Sequence, residues 1–380
     1  MPYATTSARG SVRLLSLGVA VALLALGVVI APLGSEPARA DRGTPAVRRA
    51  SVGRRPPANG RLRQQRGRRH RAHRPHHRIA RPTTTTSTTI RTPVAASPTP
   101  VVAPIAPPSA AAPAWHASIA PATTGSFVFD GYAPLRDRPL RVWYWAPADL
   151  ADAKVLFVMH GQSRAAESYR DSWVDEARDA HALLVVPEFS DALYPGSDAY
   201  NLGNVATESP SRWSYSMLEP LFDYIRADTG TRSESYLLYG HSAGAQFVHR
   251  FLLLVPDNRV ERAVVANAGW YTAPETEIDF PYGLRGSPVR PAALSHALAM
   301  RLTVLLGEND TDPNAPDLRH TAAADRQGLD RFTRGLFFFA AGRSTAAALG
   351  APFGWSLQTV PGVAHSNGGM APFAARELFS

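Results

Sequence analysis

The chain has 380 residues, enough for one or two domains, and 45% of them are hydrophobic. Its formal charge of +9 is uneven: fifteen Arg and one Asp give residues 41–91 a charge of +14, residues 1–40 add +2, and residues 92–380 carry the remaining −7. The apolar part is therefore acidic, which excludes a basic nucleic-acid-binding domain, and the lack of any cysteine excludes disulfides, a lipid-modified N-terminal cysteine and a thiol nucleophile.

Arg9 and Arg13 precede an apolar run from Leu14 to Leu33, followed by Gly34-Ser35 and Ala38-Arg39-Ala40. That order is expected of a secretory signal peptide over residues 1–40, cut after Ala40. The alternative is an uncleaved membrane anchor, since ~20 apolar residues can span a bilayer. Ser16, Gly18, Gly27 and Pro32 weaken the anchor, while the heavier charge after the run opposes simple export. Either reading is expected to place the protein outside the cytoplasm, secreted, periplasmic or at the cell surface.

Residues 41–81 form an Arg/His-rich tract and residues 82–114 a Pro/Thr/Ala-rich linker, neither with apolar periodicity. Both are expected to be disordered, because they bury too little to offset the entropy of ordering. The tract suits nonspecific contact with an anionic polymer or a membrane surface, or it is simply a solvated spacer. No specific nucleic-acid recognition is expected, and nothing orients His70, His73, His76 and His77 as metal ligands.

Residues 115–380 read as one folded domain. Short apolar runs alternate with amphipathic stretches, the pattern of a mostly parallel sheet covered on both faces by helices. Strands are expected at Phe127–Phe129, Leu140–Trp145, Lys154–Met159, Ala182–Pro187, Tyr236–Tyr239, Arg262–Ala266, Leu302–Leu306 and Trp355–Val360, eight in all. Helices are expected over Tyr169–Ala180, Trp213–Asp228 and from Ser242 to about Leu254.

The central motif is Gly240-His241-Ser242-Ala243-Gly244 between a strand and a helix. A nucleophile on a sharp strand-to-helix turn needs small residues on both sides, where neighbouring backbones approach closely. Ser242 is thus the candidate nucleophile, and His241 packs into the fold. A serine hydroxyl needs a base, and the base an orienting acid. The loop after the Leu302 strand offers Asp310, with Glu308 and Asp312 as alternatives. The loop after the last strand offers His365, preferred to His320, which comes too soon after the acid. The backbone N–H groups of Ala243 and Gln162 are the expected oxyanion donors. His160, at a strand end before Gly161, reads as a structural hydrogen-bonding residue.

His160-Gly161, the Gly240–Gly244 motif, Gly307-x-x-Asp310 and His365 resemble the α/β-hydrolase superfamily over residues 125–380. Within it the chain is most similar to secreted bacterial esterases of the polyhydroxybutyrate-depolymerase and feruloyl-esterase type. The resemblance implies an α/β-hydrolase fold with a short cap, ester substrates (small molecule or polymer) and no cofactor. The chain departs from those esterases in having no cysteine near the oxyanion strand, and it has no His-Gly-Gly-Gly stretch.

Trp270, Tyr271, Phe280, Pro281 and Tyr282 lie on the active-site side of a strand, so Trp270 and Tyr271 are expected to wall the substrate pocket. Arg164, after the oxyanion loop, is expected to meet an acidic substrate group. Arg170 is better matched to a surface pair with Glu167. Two rival functions remain open: a serine peptidase of prolyl-oligopeptidase type, and a non-catalytic surface-binding protein on the same fold. The first normally brings a large extra N-terminal domain that residues 41–114 cannot form.

Overall fold

Runs that are apolar at every position become strands buried on both faces of one sheet. The computed structural model describes residues 119–380. The signal or anchor segment, the Arg/His tract and the linker expected over residues 1–114 lie outside those residues.

Eight strands follow in chain order: β1 (Thr123–Phe129), β2 (Leu140–Ala146), β3 (Lys154–Met159), β4 (Ala182–Glu188), β5 (Tyr236–His241), β6 (Val260–Ala266), β7 (Leu302–Gly307) and β8 (Ser356–Val360). They pair in the order β1-β2-β4-β3-β5-β6-β7-β8. β2 is antiparallel to both β1 and β4, and every pairing from β4 through β3 to β8 is parallel. The strand positions expected from the sequence hold to within a few residues at each end.

Nine helices flank the sheet among the described residues: α1 (Ala166–Asp171), α2 (Val174–Asp179), α3 (Gly196–Ala199), α4 (Leu218–Thr229), α5 (Ala243–Leu254), α6 (Pro291–Ala299), α7 (Ala322–Asp325), α8 (Arg331–Leu349) and α9 (Asn367–Phe379). Side chains alternate across a strand. Val155, Phe157 and Met159 therefore enter one core with Leu221, Phe247, Leu298 and Phe338 from α4, α5, α6 and α8. Leu156 and Val158 enter the other with Ala166, Ala177 and Met370 from α1, α2 and α9.

Two expected helices differ. The Tyr169–Ala180 stretch breaks into α1 and α2, because the backbone tightens at Ser172 and Trp173. The Trp173 ring is fully buried there, 4.5 Å from the ring of Tyr239. The stretch from Trp213 opens with a 3₁₀ turn over Ser214–Met217, and α4 starts only at Leu218. Pro220 then falls in the first α-helical turn, where its missing N–H costs least. α4 ends at Gly230, which takes φ 69°, the left-handed conformation usual after a helix C-terminus.

Candidate active site

β5 delivers the chain into a turn that only small neighbours permit. Ser242 sits between β5 and α5 at φ 57° and ψ −117°, a strained conformation for a residue with a side chain. A Cβ on Gly240 would run into the Gly244 carbonyl, and one on Gly244 into the carbonyls of Met159 and His160. Both motif glycines are therefore steric requirements of the turn. The hydroxyl is held at the first turn of α5, where the free N–H groups favour negative charge.

Two later loops bring partners to it. Asp310 follows β7 and His365 follows β8. The His365 Nδ1–H donates to Asp310 Oδ2 at 2.7 Å, and Ser242 Oγ–H donates to His365 Nε2 at 3.0 Å. With Nδ1 as the donor, Nε2 is free to accept. Glu308 accepts instead from Thr359 Oγ1 at 2.7 Å, and Asp312 from the Asn314 N–H at 2.8 Å. His320 pairs with Asp325 and donates through Nε2 to the Pro313 carbonyl. Of the weighed acids and bases, only Asp310 and His365 meet Ser242.

Buried Asn267 after β6 ties the two loops together: its Oδ1 accepts from the Gly307 N–H at 2.8 Å and its Nδ2 donates to the Ala364 carbonyl at 3.2 Å. Buried Arg331 donates through Nη1 to Asp310 Oδ1 at 3.4 Å. Neither residue is part of a motif, and sequence reading missed both.

A groove of about 270 Å³ opens over Ser242, lined among others by Gln162, Tyr169, Gln246, Arg331 and His365. A Cβ on Gly161 would lie 2.7 Å from the Tyr169 hydroxyl and 3.8 Å from the serine Cβ, so this loop borders Ser242. The Gly161-Gln162 backbone and the start of α5 at Ala243 thus flank the hydroxyl from two sides.

The surrounding histidines are neutral. Burial, opposed by its bond to the Gly161 carbonyl, pulls His160 down to about 4. Its Nδ1–H donates to Gly161 O at 2.9 Å while Nε2 accepts from the Phe189 N–H at 3.0 Å, so it pins the Gly161 loop to the chain after β4. Burial, with the nearby Arg331 guanidinium adding to it, holds His241 well below the usual histidine range. Its ring lies 4.6 Å from that of His365, and its Nδ1 is 3.0 Å from the Tyr169 hydroxyl.

Three residues expected to contact substrate are engaged within the protein. Trp270 and Tyr271 are buried, at 4% and 0% exposure, and belong to the packing behind the groove. Tyr271 stacks on Phe338, and the guanidinium groups of Arg250 and Arg319 lie 4.2 and 5.1 Å from the Trp270 ring. Arg164 spends its guanidinium on the carbonyls of Phe189, Tyr194 and Gly196. The Arg170–Glu167 pair does form, at 3.4 Å. Among the described residues, no group of three or more His, Cys, Asp or Glu side chains is placed to hold a metal.

The strand order and the turn-mounted serine define an α/β-hydrolase. The chain is 43% identical to poly(aspartic acid) hydrolase-1 from Sphingomonas sp. KT-1, over 69% of this chain and all of that one, with a TM-score of 0.67. It is 35% identical to the poly(3-hydroxybutyrate) depolymerase from Bordetella parapertussis, over 67% of this chain and 88% of that one, with a TM-score of 0.64. It belongs to the esterase/depolymerase family of α/β-hydrolases that these two enzymes represent. No protein-family model and no curated protein matches the chain.

Proposed function

We propose that this hydrolase cleaves carboxylic esters through an acyl-enzyme formed on Ser242. The observation that carries the proposal is the continuous path Ser242 Oγ to His365 Nε2, 3.0 Å, and His365 Nδ1 to Asp310 Oδ2, 2.7 Å. Asp310 holds the tautomer in which Nε2 accepts the serine proton, so Oγ attacks the carbonyl carbon as the proton leaves. The tetrahedral oxyanion is held by the N–H groups of Ala243 and Gln162. His365 returns the proton to the leaving alkoxide, and the acyl-enzyme remains. His365 then activates water against it, releasing the acid and restoring Ser242.

A specific observation favours a second reading. The neighbour at 43% identity is by name a hydrolase of poly(aspartic acid), a chain linked through amides, whereas the depolymerase at 35% acts on a polyester. The same serine, histidine and aspartate can serve an amide. An oligomer or polymer chain fits an open groove better than an enclosed pocket would.

The proposal extends to export. Arg9, Arg13, the Leu14–Leu33 run and Ala38-Arg39-Ala40 support a signal cut after Ala40. The Arg/His tract would then hold the enzyme near anionic surfaces.

The test is hydrolysis of p-nitrophenyl esters from acetate to palmitate by the full chain and by its Ser242→Ala variant. Turnover that vanishes with Ser242 supports the esterase reading. A folded protein without turnover on any ester removes it, and poly(aspartic acid) is then the substrate to try.

A further inference from the structure

Gln246 lies on α5 one turn beyond Ser242 and lines the same groove, with its side chain otherwise buried. Its backbone N–H donates to the Ser242 carbonyl at 3.1 Å, so its position is tied to that of the nucleophile. Its carboxamide is oriented from behind. Oε1 accepts from Asn201 Nδ2 at 3.0 Å and from Arg250 Nη1 at 3.3 Å. A guanidinium has donors only, so the atom facing Arg250 has to be the oxygen. The NH₂ is thereby turned the other way, towards Gly269, which also lines the groove: a Cβ on Gly269 would stand 3.2 Å from Nε2. Nε2 donates to no acceptor among the described residues, and it is not sealed from solvent.

Arg250 adds charge to this arrangement. It is fully buried, and its contacts are Thr272 Oγ1, the carbonyls of Asn201 and Gln246, Gln246 Oε1 and the face of Trp270. None of these is a carboxylate, and its Nη2 has no hydrogen-bond partner among the described residues. Burial draws its pKa down to about 10, which leaves it charged at neutral pH. A buried cation with neutral partners is costly unless an anion compensates it. The groove lies on the other side of the Gln246 carboxamide from Arg250, and Arg331 and Asp317 also line it.

We infer that Gln246 is a specificity residue whose amide N–H groups, oriented by Asn201 and Arg250, bind a second oxygen acceptor on the acyl group of the substrate, best a carboxylate. This rests on the acyl-enzyme reading of Ser242. That reading supplies the scissile carbonyl; the subsite adds a preference for an acyl chain that bears its own acceptor.

The test compares p-nitrophenyl hemisuccinate with p-nitrophenyl butyrate at pH 7.5, two esters of similar length that differ in a terminal carboxylate. The full chain should show the higher kcat/KM on the hemisuccinate. Gln246→Leu should lower the hemisuccinate-to-butyrate ratio about tenfold or more, mainly through KM, since a site built to bond a charged acceptor discriminates strongly. Because leucine leaves Arg250 with one acceptor fewer, Gln246→Glu is the second variant. It keeps an oxygen towards Arg250 and Asn201 and turns a carboxylate oxygen to the groove, so the ratio should drop below that of the leucine variant. A wild-type enzyme that prefers butyrate overturns the inference, as does a ratio within twofold of wild type in both variants. If neither ester turns over and Ser242 is not labelled by a fluorophosphonate, the acyl-enzyme reading has failed and this one falls with it. Labelling with turnover but no preference removes the subsite alone.

Discussion

Arg331 and Asp310 form a buried pair, 3.4 Å between Nη1 and Oδ1, each side chain about 5% exposed or less. The other Asp310 oxygen takes the His365 Nδ1–H, so one carboxylate serves two donors from opposite sides. Removing one partner of such a pair strands a buried charge, which costs about 3–5 kcal/mol. Arg331→Met is expected to lose about that much unfolding free energy in urea and to lower kcat at least tenfold. An unfolding midpoint equal to wild type would show that the pair is not a structural support of Asp310.

Asn267 acts one step further out. Its side chain satisfies backbone groups on both the Asp310 loop and the His365 loop, and its own φ of 49° suits asparagine better than most residues. Asn267→Ala leaves the buried Gly307 N–H without that partner, at ~1–3 kcal/mol, while the Ala364 carbonyl keeps its bond from the Ser366 N–H. The two loops then lose their common tie, and kcat should fall about tenfold with KM changing less. Steady-state kinetics beside a urea titration measure both effects. Full activity in a destabilised variant would confine Asn267 to folding.

Much of this was legible in the sequence, and the limits are physical. Interior parallel strands such as Lys154–Met159 and Leu302–Gly307 read clearly because both faces are apolar, and their ends carry the loops with Gly161 and Asp310. The positions of Ser242, Asp310 and His365 after their strands were readable because the fold fixes that order. Arg331 and Gln246 were not. Each sits on a helix face, and a single polar residue at helical spacing carries no mark of what it faces. Trp270 and Tyr271 misled for the opposite reason. Aromatic composition after a strand says nothing of direction, and here Phe338, Arg250 and Arg319 claim the rings.

Arg164 gives a direct check on that correction. Its guanidinium bonds three carbonyls in the segment Phe189–Gly196 and lies 4.3 Å over the Tyr200 ring. Arg164→Met should lower the melting temperature by several degrees, consistent with ~3 kcal/mol for lost charge-assisted bonds. Lysine should recover less than half, because a point charge cannot span three acceptors. The hemisuccinate-to-butyrate ratio should not move. A ratio that falls with Arg164→Met would return this residue to the substrate.

His160 predicts the pH dependence of stability. An unfolded histidine titrates near 6.5, and burial holds the folded one at about 4. Above pH 6.5 both states are neutral and the group contributes nothing to the pH dependence. Between 6.5 and 4 the unfolded chain binds a proton that the folded protein refuses, so stability falls as the pH falls. Over that window the loss is about 3 kcal/mol. His241, also held low by burial, acts in the same direction. Other titrating groups contribute as well, so the measurement is a difference between two proteins. Urea unfolding at pH 7.5, 6 and 5 is compared for wild type and His160→Gln, whose amide oxygen can still accept from the Phe189 N–H. The variant should be less stable than wild type at pH 7.5 and lose less on acidification, by a slope of up to one proton. Parallel slopes would mean that His160 takes up its proton in the folded state, and its neutral role in pinning the Gly161 loop would be wrong.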